Sequence, residues 1–381
     1  MAQEGFGDIP LFREIQRILS SSEGPVNLEI ARQVGNALAT EGLSDTTTDP
    51  ETAQALQQAV QEAERLVSGY ARRPFEEPIQ SEGVGPAWWV DSTLKSWQWL
   101  LEHLASHFTQ ELARSQPEGE GAGPMLQGAM GQIAPLLIGV QAGTLVGHLA
   151  KGALGRYDYP IPRDDSPKVF FVVPNLEKLA SDYSVKLTSL FEWAAVHETA
   201  RHLVMTAEPW ISRYMKSLLT EVVDATEIDT ADLERRLMEL QSKGMEGLQE
   251  GMEPESQLPV VSTERHRKAL ERLQAFIAAF EGYASHVESA VAPELVGDGL
   301  RIEESIMRFR AGNKEIESLL GSILGVSIDR DLESAGATFC AAVTSLRGLP
   351  DLNKVWAAPD NLPTIAEIKD PFSWMERVLD A

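Results

Sequence analysis

The chain has a single cysteine, Cys340, in 381 residues, which excludes an internal disulfide framework and suits a reducing compartment. Its surroundings, "GATFCAAVTSL", are small or apolar, so the thiol reads as a small hydrophobe in a helix rather than a nucleophile. Positive charge is scarce too: 33 Lys and Arg stand against 57 Asp and Glu, a formal net charge of -24. Such a surface repels a phosphate backbone and has no basic stripe, so nucleic acid is not an expected partner. Long hydrophobic runs are also lacking. In the most apolar segment, Met125 to Gly155, the uninterrupted apolar stretch lies between Gln132 and Gln141, far below the roughly 20 residues that cross a bilayer. A buried core helix is expected there, and no membrane span. The opening "MAQEGFGDIPLFREIQ" carries acids and no apolar segment of signal-peptide length, so the expected location is cytoplasmic.

What is present fits a large globular core, with 43% hydrophobic and 24% charged residues. Amphipathic spacing dominates. In "TTTDPETAQALQQAVQEAERLVSGYA" a Thr/Asp cap and Pro50 precede apolar residues at three- and four-residue steps, Ala53, Leu56, Val60 and Leu66 among them. Trp88, Trp89, Trp97 and Trp99 recur at helical spacing and read as core rather than as a recognition surface. Gly139, Gly143 and Gly147 repeat every four residues, baring one helix face for close approach by another helix. Val169 to Val173, flanked by prolines, is the clear strand signal. Residues 222–261 read as an acidic helix and surface loop, and a long helix after them is expected to end at Pro293. The fold class expected is mainly α, with at most a small β element beside the helix that carries the site. An N-terminal helical lobe over 1–120 and a core over 121–381 are expected to form one compact unit.

The chemistry concentrates in "WAAVHETARHLVM", Trp193 to Met205. Zinc proteases carry H-E-x-x-H on a helix because positions i and i+4 lie about 40° apart around the axis, so two imidazoles reach one metal while the glutamate activates water. Here the frame reads His197, Glu198, Thr199, Ala200, Arg201, with the second histidine one place late at His202. At i+5 the offset is about 140°, so on a regular helix His202 points away from His197. The pairs that do share a face are His197 with Arg201 and Glu198 with His202. A metal site with altered spacing, a degenerate one and a coincidence all remain open on spacing alone.

The combination of "FEWAAVHETARHLVMTAEPWISRYM", "FEGYASHVESAV", "VVPNL" and "LNKVWAAPDNLPTIAEIKDPFSWMERV" resembles the zincin-like metallohydrolase family, often assigned in genomes as hydrolases or as associated with deazaflavin-cofactor biosynthesis. The resemblance implies a mainly α zincin-like fold, with zinc as cofactor and a peptide or other small molecule as substrate. Carried over residue by residue, it makes His197 the first metal ligand, Glu198 the general base and Glu281 the third ligand, with Pro209 and Trp210 matching the family's P-W. Arg201 stands in the second ligand's position. Three functions follow as expectations: a zincin-like hydrolase of impaired activity, its metal held by His197, Glu281 and a displaced His202; a non-catalytic binding or scaffolding protein in which Arg201 and carboxylates fill the old metal site; or a non-hydrolytic metal-binding protein that uses Glu198, His202 and Glu281. Glu288, seven residues after Glu281, is a spare ligand on the same face, and His286 reads as surface or structural.

Overall fold

The computed structural model describes residues 24–41, 48–115, 124–164, 168–228, 260–261, 263–312 and 330–380. The acidic segment anticipated as helix and loop lies mostly outside the described residues. The order is α1 (Leu28–Ala39), α2 (Pro50–Ala71), β1 (Ser81–Val84), α3 (Pro86–Ser96), α4 (Gln98–Ser115), α5 (Pro124–Gly152), β2 (Val169–Val172), α6 (Val173–Tyr183), α7 (Leu187–Ala207), α8 (Trp210–Asp224), β3 (Glu227–Ile228), β4 (Val260–Val261), α9 (Glu264–Leu295), α10 (Gly299–Gly312) and α11 (Arg330–Arg347), followed by short helical turns to Val378. The fold is mainly α, as expected, with two small two-stranded sheets.

Helix α2 starts where the cap predicts. Asp49 accepts from the main-chain N–H of Glu51 and Thr52, and Pro50 takes the first helical position, where no N–H donor is needed. Its buried stripe is Leu56, Val60, Ala63 and Val67, the steps of one helix face, and this face packs on α7 and α9. Ala53 lies outside it, exposed at the helix start. The glycine face of α5 meets α1: a Cβ on Gly143 would stand 2.4 Å from the main-chain oxygen of Ala31, a distance only glycine permits. Trp89 and Trp97 are buried and pack edge-to-face with Tyr159, whereas Trp88 remains 40% exposed. Cys340 is buried, and burial pushes its thiol pKa up. Among the described residues no helix is long and apolar enough to cross a membrane.

Three features position the site. Strand β2 is buried along its length and pairs in parallel with β1, Val169 opposite Ser81. The turn after α5 is tied to β2, with Gly155 bridging Phe171 and the Val172 N–H donating to Leu154 O at 2.9 Å. Asn175, buried at the start of α6, donates to the oxygens of Ala150 and Ala153 at 2.8 and 2.6 Å and closes the end of α5. The main-chain N–H groups of Arg156 and Tyr157 donate to Glu198 and hold this turn against α7 on one side, while α9 packs on another. Helix α9 runs through Pro293 to Leu295, two residues past the predicted stop, because a proline in the last turn forfeits little of the ladder.

Candidate functional site

Helix α7 is buried on nearly every side from Ser189 to Val204, so its polar residues must find partners inside the protein. The i, i+4 geometry sorts them into two faces. His197 and Arg201 turn toward α9, and Glu198 and His202 toward the 154–158 turn and Phe75.

On the first face, the Arg201 guanidinium donates from Nη2 and Nε to one oxygen of Glu281, Oε2, at 2.7 and 3.1 Å. Its Nη1 donates to Glu288 Oε2 at 3.1 Å and to the main-chain oxygen of His197 at 3.0 Å. Burial alone would lower the arginine's pKa, but Glu281 and Glu288 outweigh it and raise the pKa. Burial opposes ionisation of Glu288 as well, yet His197 and the Arg201 guanidinium hold it down at about 2. Nδ1 of His197 lies 3.1 Å from Glu288 Oε2 and 2.9 Å from Arg201 Nη1, and its Nε2 lies 3.3 Å from Nη2 of Arg310 on α10. Nδ1 thus has both a carboxylate and a guanidinium beside it and Nε2 a guanidinium, so the ring can accept from Arg201 or Arg310 at one nitrogen and, when the proton is on Nδ1, donate to Glu288. Burial and then the Arg201 charge lower the His197 pKa, so the ring is neutral. Trp193, one turn earlier, stacks on it with centroids 4.8 Å apart.

On the second face, both Glu198 and His202 are engaged by Tyr157. Glu198 accepts from the main-chain N–H of Arg156 at 2.9 Å and of Tyr157 at 3.1 Å, and the Tyr157 hydroxyl lies 2.7 Å from His202 Nδ1. Burial and the neighbouring Asp158 charge push the Glu198 carboxyl up to about 8 despite those two N–H donors. Gly155 makes room for it: a Cβ there would stand 2.4 Å from Glu198 Oε1. His202 is pushed down to about 4 by burial and the Arg156 charge, and so is neutral. His286 lies away from both faces, between the Tyr70 and Thr344 hydroxyls at 3.1 and 3.2 Å, in a structural setting.

The structure therefore brings together His197, Arg201, Glu281 and the spare Glu288, keeps Glu198 on the adjoining face with a carboxylate oxygen within 4.8 Å of a His197 ring nitrogen, and sets His202 apart from them. The ligand set His197, His202 and Glu281 does not converge, because His202 is five residues from His197 on a regular helix and is held by Tyr157 and Phe75. Asp158 and Arg310 escape sequence reasoning. Asp158 looks like a turn residue and is one, accepting from the N–H of Leu154 and Gly155 at 2.5 and 2.6 Å. It also completes, among the described residues, a group of possible donors with His197 and Glu198 whose atoms all lie within 4.8 Å of one another. Zinc of the H-E-x-x-H kind does not fit the donors at His197. Tetrahedral zinc needs converging lone pairs, and here both ring nitrogens already face partners, a guanidinium at each. The cation that neutralises Glu281 and Glu288 is Arg201.

A family profile described as zincin-like metallopeptidase matches residues 26–375. The chain is also similar to a crystal structure of a candidate hydrolase with a novel fold from Chloroflexus aurantiacus, at 21% identity and a TM-score of 0.68, over 92% of this chain and 98% of that one. No curated protein matches it. The chain belongs to the zincin-like metallopeptidase family.

Proposed function

We propose that this member of the zincin-like metallopeptidase family has exchanged the catalytic zinc for the Arg201 guanidinium, and that it acts as a binding or scaffolding protein on a hydrolase framework. One observation carries the reading: a single buried guanidinium donates to both Glu281 and Glu288, where a metal would otherwise balance their charge. Glu198 supports it. With no metal beside it, burial and the Asp158 charge push its carboxyl up to about 8, toward the protonated form rather than the carboxylate that a general base needs. The test is peptide hydrolysis, measured with a mixed peptide library in the presence of zinc. The reading expects no cleavage that distinguishes the native chain from Glu198→Gln. Zinc-dependent cleavage that Glu198→Gln abolishes overturns it.

A second reading is favoured by the proximity of Asp158, Glu198 and His197. An oxygen-rich pair of this kind suits a hard divalent cation such as Mn²⁺ or Mg²⁺ better than zinc, and an ion there would draw Glu198 into its ionised form beside Asp158. Manganese titration of the native chain and of Asp158→Asn decides it: saturable binding lost in the variant favours this reading, and no binding removes it.

A further inference from the structure

On the other side of α7 from the Arg201 cluster, the segment from Arg72 to Gln80 and the end of the helix line a cavity of about 600 Å³. We propose that this cavity binds a small aromatic zwitterion, the chemistry of a free aromatic amino acid. Its volume falls in the range of roughly 300–1,000 Å³ typical of small-molecule sites.

The floor is apolar with one polar atom in it. Leu203 and His202 come from α7, and the half-buried Phe75 ring stacks on His202 with centroids 5.9 Å apart and planes at 19°. A ligand ring laid beside Phe75 extends a stack that already exists. His202 is 8% exposed, and its Nδ1 is fixed by the Tyr157 hydroxyl. Its Nε2 has no partner among the described residues and is not sealed from the cavity. The imidazole is neutral, so Nε2 offers one hydrogen bond without adding charge: it accepts from an indole N–H when Nδ1 donates to Tyr157, and a ligand hydroxyl can meet it in either tautomer.

The rim carries both signs of unsatisfied charge. Arg73 is engaged by Glu208 and by the Ala207 oxygen, and Lys168 lies 3.6 Å from Glu82. Arg72, Glu76 and Glu77 are exposed at the mouth and form no ion pair among the described residues. Arg72 is also held at φ 53°, a left-handed cap position that glycine usually takes. A simple anion entering here would meet two carboxylates, and a simple cation would meet the guanidinium. A ligand with a carboxylate for Arg72 and an ammonium for Glu76 or Glu77 is opposed by neither.

The experiment is calorimetric titration of the full chain with L-tryptophan, with tryptamine and indole-3-propionate as partners lacking one charge each, and with the His202 imidazole followed by NMR. The His202 signal is assigned by its loss in His202→Gln. Saturable binding of L-tryptophan, a shift of the His202 signal, and at least about tenfold weaker binding of both single-charge partners, of Phe75→Ala and of Arg72→Ala are expected. Thermal melts of the two alanine variants separate lost contact from lost folding, and Phe75→Leu serves in place of Phe75→Ala should the latter not fold. No heat and no His202 shift with either L-tryptophan or L-phenylalanine at millimolar concentration overturns the proposal. So does a single-charge partner that binds as tightly as L-tryptophan.

Discussion

Arg201 and Glu281, eighty positions apart in the chain, are joined by two donors of one guanidinium to one carboxylate oxygen, at 2.7 and 3.1 Å, inside the helical core. Removing the cation takes from Glu281 its ion pair among the described residues and leaves Glu288 with the Arg310 charge alone. Arg201→Ala is therefore expected to destabilise the fold by about 3–5 kcal/mol, the usual penalty for orphaning a buried charge. Arg201→Lys should recover only part of this, since one ammonium cannot reproduce donors aimed at Glu281, Glu288 and the His197 oxygen. Urea unfolding of the three proteins checks both statements, and a fully native Arg201→Lys contradicts the second.

A methyl group at Gly155 should displace Glu198. The added Cβ would stand 2.4 Å from Oε1 and 2.6 Å from the carboxyl carbon, while the main-chain donors of Arg156 and Tyr157 hold that carboxyl in place. Gly155→Ala is expected to cost on the order of 1–3 kcal/mol. The double variant with Glu198→Ala should recover much of the loss, and a thermal melt that shows no recovery contradicts the contact.

Acid should weaken the fold through His202. Its folded pKa is about 4, against an ordinary value near 6.5 in the unfolded chain. Between those values the unfolded chain binds a proton that the folded chain refuses, so stability is full above about pH 6.5, falls as pH drops, and loses nothing further from this group below about pH 4. The contribution is on the order of 3 kcal/mol. Stability measured from pH 7 to pH 4 in the native chain and in His202→Gln should diverge across that window; parallel curves contradict it.

How far the sequence discloses this site depends on whether the information is local. The α2 cap at Asp49–Pro50, the stripe from Leu56 onward and the bare face at Gly143 are local rules, and each is met in the structure. The faces of α7 are also local, since spacing alone separates His197 and Arg201 from Glu198 and His202. What each face meets is not local. Nothing in "SEGV" announces that Ser81–Val84 pairs in parallel with Val169–Val172. The turn chemistry of Asp158 accounts for that residue fully before Glu198, 40 positions later, comes beside it. Arg310 reaches His197 from α10, across more than a hundred residues, and a basic residue in the last turn of a helix ordinarily needs no other reason than the dipole.

The central claim, that Arg201 has taken the metal's place, is tested most directly by elemental analysis for zinc on the full chain, equilibrated with zinc and freed of excess without chelator. The account predicts zinc far below one equivalent per chain, with no further loss in His197→Ala. One zinc per chain that His197→Ala or Glu281→Ala removes would contradict it.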